Sequence, residues 1–264
     1  MVRGVEGILF LFGAGLLAGA MNALVGGGSF VTLPALIAVG VPSVVANASS
    51  TVALYPGGLA SAWTYRGERQ KPSTALCGVG TGWLLGVTLA GGLAGSLLLL
   101  GTPAASFNLI LPWLLLGATL AIAFARRVSL AAQGRQGAAR RAPAGLVLAL
   151  QFGLGVYGGY FGGAVGLMMV AAWSLMGEHD IKALNAPRTM LVSAANTIAV
   201  VAFVAAGAVR WPETLAVLAG GAIGGTAGAR LGRVMPARAT RLLVLGCTTG
   251  MTCAFFARAY LRSL

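Results

Sequence analysis

Three stretches of this chain, residues 7–65, 72–125 and 142–177, contain no Asp, Glu, Lys or Arg. Runs so long and so apolar are bilayer segments, because a helix crosses a hydrocarbon layer of roughly 30 Å in about 20 residues. On that measure the first run holds three crossings and the other two hold two each. Of 264 residues, 58% are hydrophobic and 9% are charged, and the mean hydropathy is +0.87. The chain therefore reads as an integral membrane protein. Its formal charge of +13 would suggest nucleic acid in a soluble protein. Here the Arg residues gather in short connectors between apolar runs, where they act as topology signals, so the lipid bilayer is expected as a partner and nucleic acid is not.

Ten hydrophobic segments are predicted, at 5–23, 28–40, 44–65, 74–100, 104–125, 144–161, 164–177, 183–207, 213–229 and 242–258. The second of each five is short. Turn chemistry separates segments at Gly26-Gly27-Gly28, Gly40-Val41-Pro42, Gly101-Thr102-Pro103 and Trp211-Pro212. Basic connectors lie at 66–71, 126–141 and 230–241. If each half crosses five times, all three fall on the cytoplasmic side and both termini lie outside. Eight spans would put 230–241 outside, against the positive-inside rule, whereas Arg258 and Arg262 at the outer end argue the other way.

Two segments 138 positions apart look like copies of one unit: Ala46-Asn47-Ala48-Ser49-Ser50-Thr51 and Leu184-Asn185-Ala186-Pro187-Arg188-Thr189. The same offset superposes Gly15 on Gly153, Gly28 on Gly166, Gly82 on Gly220 and Gly86 on Gly224. The expected division is a first transmembrane repeat over 1–126, a basic cytoplasmic connector over 127–143 and a second repeat over 144–264. An odd number of crossings per half inverts one against the other. The expected fold is an all-α integral membrane protein of two inverted five-segment repeats with broken or short helices, a common design among secondary transporters. The apolar N-terminal run to Ala18-Gly19-Ala20 resembles a signal peptide, but its counterpart around Gly153 is internal, so it is assigned to the fold. Glycines four apart, as in Gly15/Gly19, Gly82/Gly86, Gly91/Gly95 and Gly220/Gly224/Gly228, let helix backbones approach closely. They serve packing within one subunit or the interface of a homodimer.

Catalytic and cofactor chemistry finds little support. Gly153-Leu154-Gly155-Val156-Tyr157-Gly158 satisfies a dinucleotide fingerprint but sits between apolar spans, without the strand that such a loop requires. Gly27-Gly28-Ser29 offers no credible nucleophile, because the single histidine is His179 and no acidic residue lies in the same unit to orient it. His179, Glu178 and Asp180 read as an ordinary wet connector. Cys77, Cys247 and Cys253 fall inside predicted spans and read as packing residues, with no metal-ligand spacing. No cofactor, metal or enzymatic activity is expected.

The two Asn segments carry the functional reading. Asn47 and Asn185 each follow a turn and suit helix N-caps, with hydroxyls from Ser50, Thr51 and Thr189 beside them. A helix start has unpaired N–H groups and partial positive charge, so two of them meeting across a pseudo-two-fold axis make an anion site. Bends at Gly26, Gly27 and Gly28 and at Gly162, Gly163 and Gly166 are expected to act as hinges and to expose further N–H groups to the same cavity. Arg188, whose counterpart is Ser50, either pairs with an oxyanion or snorkels to cytoplasmic headgroups.

Residues Gly19 to Leu36, with Asn22, Gly26-Gly27-Gly28-Ser29 and Pro34, followed by Gly40-Val41-Pro42 and Ala46-Asn47-Ala48, resemble the first signature of the TauE/SafE family of sulfite and organosulfonate exporters. Gly158 to Gly166 and Asn185-Ala186-Pro187-Arg188 resemble its second signature. The resemblance implies a multi-pass secondary transporter in the inner membrane, moving sulfite, a sulfonate or a related small anion. It points to Asn22, Asn47, Ser50, Thr51, Asn185 and Arg188 as polar positions toward substrate. An anion channel and a non-catalytic assembly partner remain alternatives.

Overall fold

The computed structural model describes residues 4–64, 75–133, 142–178, 183–234 and 237–261. The connectors 66–71 and 134–141, together with His179, Asp180 and Lys182, lie outside the described residues. Ten α-helices are seen among those described: α1 Val5–Val25, α2 Ser29–Ala38, α3 Ser43–Thr64, α4 Thr81–Gly101 and α5 Ala104–Gln133. The second set is α6 Ala144–Tyr160, α7 Val165–Leu175, α8 Asn185–Ala205, α9 Trp211–Val234 and α10 Ala237–Phe256, closed by a π-helical turn Ala257–Leu261. Among the described residues five stretches are long and apolar enough to cross a membrane: Val5–Leu24, Thr81–Gly101, Ala104–Ala125, Asn185–Ala205 and Leu242–Tyr260. With 10 and 11 residues, α2 and α7 reach about 15 Å at 1.5 Å per residue, half the hydrocarbon layer. Apart from one small hairpin among the described residues, the chain is an all-α multi-pass membrane protein.

That hairpin corrects the segment expected over 74–100. Strands β1 (Ala75–Leu76) and β2 (Val79–Gly80) pair antiparallel around a two-residue turn, and α4 begins only at Thr81. Cys77 and Gly78 both have positive φ, 53° and 79°, the condition of a type I′ turn. Leu76, Cys77 and Val79 are buried against Trp173 and Met176 at the end of α7, so an apolar plug reads in sequence like the start of a span. Cys77 is thus a turn residue. Its backbone N–H donates to Glu178 Oε1 at 2.6 Å, so Glu178 anchors the hairpin and is no ordinary solvated loop residue.

The two most extensive helix contacts are α1 on α9 and α4 on α6. Both are built on glycine. A methyl on Gly15 or Gly19 would overlap the carbonyl of Val217 or Gly221, and one on Gly220 or Gly224 the carbonyl of Phe12 or Leu16. Across α4 and α6, Gly91 and Gly95 meet Phe152 and Val156, while Gly155 and Gly159 meet Thr88 and Gly92. Backbone-to-backbone approach of this kind replaces the hydrophobic drive that lipid removes. The contacts match Gly15 with Gly155, Gly19 with Gly159, Gly220 with Gly91 and Gly224 with Gly95. A uniform 138-residue offset had paired Gly15 with Gly153 and set Gly82 and Gly86 beside Gly220 and Gly224. Added methyls at Gly82, Gly86 and Gly153 meet nothing within 4 Å. Connections of unequal length, the hairpin among them, move the register from one helix to the next.

The short helices end alike. Gly40 and Gly177 have φ of 95° and 105°. Val41 N–H reaches back to Leu36 O at 3.1 Å, and Glu178 N–H to Trp173 O at 3.0 Å. These are Schellman-type closures, and they return the chain toward α3 and α8.

Candidate functional site

A cavity of about 360 Å³ lies between the two sets of helices. From the first set its wall takes the end of α1, the bend at Gly26, the start of α2 at Ser29 and one face of α3. From the second it takes the bend at Gly162, the start of α7 at Val165 and Gly166, and one face of α8. Most of the lining falls into pairs 138 positions apart, among them Gly26 with Ala164, Thr51 with Thr189, Leu54 with Val192 and Gly58 with Asn196. Thr51 and Thr189 also make the same bond, each hydroxyl donating at 3.0 Å to the carbonyl four residues back, Asn47 and Asn185.

The helix starts that face this cavity are those of α2 and α7, which corrects the N-cap assignment of Asn47 and Asn185. Helix α3 begins at Ser43, so Asn47 lies inside it. Asn185 is the first residue of α8, behind a cap residue, Leu184, that makes no side-chain bond. The bends explain why α2 and α7 start here. Gly26 takes φ 85° and Ala164 φ 58°, left-handed conformations that break a helix and redirect it. Gly28 is needed for closeness: a methyl there would come within 2.9 Å of Ala18 O and 3.1 Å of Asn22 Cβ. Phe30 and Val31 N–H reach back to Gly27 O and Gly28 O, and Leu167 N–H to Ala164 O; the N–H groups ahead of them, at Ser29, Val165 and Gly166, open helix ends that carry partial positive charge.

Of the expected site residues, Asn22, Thr51 and Arg188 line the cavity, as do Gly26, Gly162 and Gly166. Asn47 and Ser50, each 1% exposed, lie behind the wall. Ser50 shares a short hydrogen bond with Thr32 of α2. Asn47 Nδ2 donates to Tyr160 O at 2.8 Å, tying α3 to the last residue of α6, while its buried Oδ1 has no partner among the described residues. Asn185 is half-buried and off the lining, and Gly27, Gly28 and Gly163 are buried and off it as well. Arg188 lays its methylenes across Gly166 at the first turn of α7. Among the described residues no Asp or Glu lines the cavity.

Sequence reasoning missed Ser29, Ser61, Ser193 and Asn196, all on the lining. A signal for part of this set existed. Arg188, Val192 and Asn196 are four apart on one face of α8, the spacing that brings side chains to the same wall. Where α3 meets α8, Tyr55 and Thr197 hydroxyls bond at 2.8 Å and Ser193 Oγ donates to Gly58 O at 3.3 Å.

The sequence model of the family described as "Sulfite exporter TauE/SafE" matches residues 11–255. The chain belongs to the TauE/SafE family. A relative, "Probable membrane transporter protein YfcA" of Escherichia coli strain K12, is 30% identical over 224 residues, 84% of this chain and 79% of that protein. "Probable membrane transporter protein" of Haemophilus influenzae is 26% identical over 236 residues, 86% of each chain. No solved structure matches the chain. As a TauE/SafE protein it is a membrane transporter and not an enzyme.

Proposed function

We propose that this TauE/SafE transporter carries a small sulfur-containing or related organic oxyanion across the inner membrane by alternating access, with residues 1–126 and 144–264 as inverted repeats. One observation carries the reading. The cavity between the halves has Arg188 in its wall, no carboxylate among the described residues, and the N-terminal turns of α2 and α7 beside it. Positive helix ends with hydroxyls and one cation suit the oxygens of a sulfonate, sulfite or carboxylate.

Support for inverted repeats comes from the exchange of contacts: α1 rests on α9 as α6 rests on α4, with carbonyl-to-glycine contacts that match one for one. Support for alternation comes from inequality at matched positions. Asn47 holds Tyr160 O, whereas Asn185 makes no side-chain bond among the described residues. In the opposite arrangement Asn185 takes up the equivalent bond to the end of α1 and Asn47 gives up its own.

The test is uptake and counterflow in proteoliposomes of the purified protein. Labelled sulfite and short alkanesulfonates are expected to enter saturably and to exchange with unlabelled anion trapped inside. Uptake that rises linearly with concentration, without counterflow, would contradict a carrier and favour a channel.

A further inference from the structure

The matched pair Gly58 and Asn196 differs from the other two matched pairs that α3 and α8 bring to the wall. At Thr51 and Thr189, or Leu54 and Val192, the two halves present similar groups; at this pair one half presents an amide and the other no side chain. Asn196 is half-buried, lines the cavity and has no hydrogen-bond partner among the described residues. Gly58 lies in the interior of α3, where glycine is unfavourable relative to alanine. Neither packing nor backbone strain calls for it. A methyl at Gly58 meets no heavy atom within 4 Å, and its φ is not in the left-handed region. The glycines that seat one helix on another, such as Gly159 and Gly224, leave no such room. What Gly58 leaves open is cavity.

Its place gives the opening a use. Arg188 and Asn196 are two turns apart on α8, about 12 Å at 1.5 Å per residue. A tetrahedral oxyanion alone does not bridge that span. We propose that Gly58 and Asn196 are specificity-determining residues that set solute length: the anionic head rests near Arg188 and the start of α7, and the far end of the solute occupies the space over Gly58 beside the Asn196 amide. The inference rests on the carrier reading above and adds that the transported class is an organic anion with a tail, hydrogen-bonding at its far end, in place of a bare inorganic oxyanion.

The experiment measures affinity for straight-chain sulfonates of one to five carbons, each with and without a terminal hydroxyl, on purified wild type, Gly58→Val and Asn196→Ala. Gly86→Val serves as control, since Gly86 has the same free space but does not line the cavity. Gly58→Val is expected to weaken the four- and five-carbon members at least tenfold and to leave methanesulfonate within twofold. Asn196→Ala is expected to abolish the preference for the terminal hydroxyl without changing methanesulfonate affinity. Gly58→Ala, one methyl in open space, should show a smaller loss with the same length dependence. A uniform change along the series, or none, overturns the inference while leaving the carrier intact. Wild type that binds no member of the series overturns the carrier reading and this inference together.

Discussion

At the scale of single residues, Arg188 carries the largest share of the proposed chemistry, because a guanidinium in a membrane cavity forms charge-assisted bonds that hydroxyls cannot replace. Arg188→Gln keeps a hydrogen-bonding side chain of similar reach and removes the charge. It is expected to weaken sulfonate affinity by at least tenfold, measured by equilibrium binding in detergent, while the melting temperature stays within a few degrees. Arg188→Lys should recover part of the affinity, since it keeps charge without the planar fork. Equal affinity in wild type and Arg188→Gln would mean that the guanidinium serves lipid headgroups. Glu178 offers a second residue-level case. Its carboxylate accepts Cys77 N–H at 2.6 Å, and a carboxylate-to-amide bond contributes roughly 1.5–3 kcal/mol. Glu178→Ala should therefore lower thermal stability measurably, and Glu178→Gln, which keeps an acceptor oxygen, should lower it less.

At the scale of elements, the glycine seams separate positions that look alike in sequence. Gly91/Gly95 and Gly82/Gly86 have the same spacing on α4, yet the first pair meets backbone of α6 and the second meets open space. Gly95→Val is expected to prevent correct folding or cut the melting temperature sharply, whereas Gly82→Ala and Gly86→Ala should leave it unchanged or raise it slightly, as alanine favours helix. Fluorescence-detected size exclusion with a heating series reads both. This contrast marks how far the sequence was legible. Helix number, the short second helix of each set and the Gly-rich bends follow from hydropathy and turn chemistry, which are local. Which face of a glycine-bearing helix meets a neighbour is not local, since register depends on connection lengths elsewhere. The same reason hid the hairpin: Leu76 and Val79 are as apolar as a span, and only their burial against Trp173 shows them to be a plug. The Asn segments were identified by their repetition, but Asn47 lies inside α3, so the helix starts facing the cavity are one element earlier, at Ser29 and Val165.

At the scale of the whole molecule, the proposed alternation requires that two matched sets of helices have two arrangements of nearly equal energy, with small local differences deciding which is populated. The inequality of Asn47 and Asn185 is such a difference. On the proposed reading, Asn47→Ala deletes a bond made in the arrangement seen here, and Asn185→Ala deletes one made in the opposite arrangement. A net hydrogen bond of about 1 kcal/mol corresponds to about a fivefold change in population, so the two variants should move the equilibrium in opposite directions by that order. Ser61 reports it, because it lines the cavity and is exposed here. With Cys77, Cys247 and Cys253 replaced by alanine, Ser61→Cys should be labelled by a membrane-impermeant maleimide from the side on which the cavity now opens. Asn47→Ala should slow that labelling severalfold and Asn185→Ala should speed it. Movement in the same direction would mean that both amides act on stability alone, and the two halves would then not exchange roles during transport.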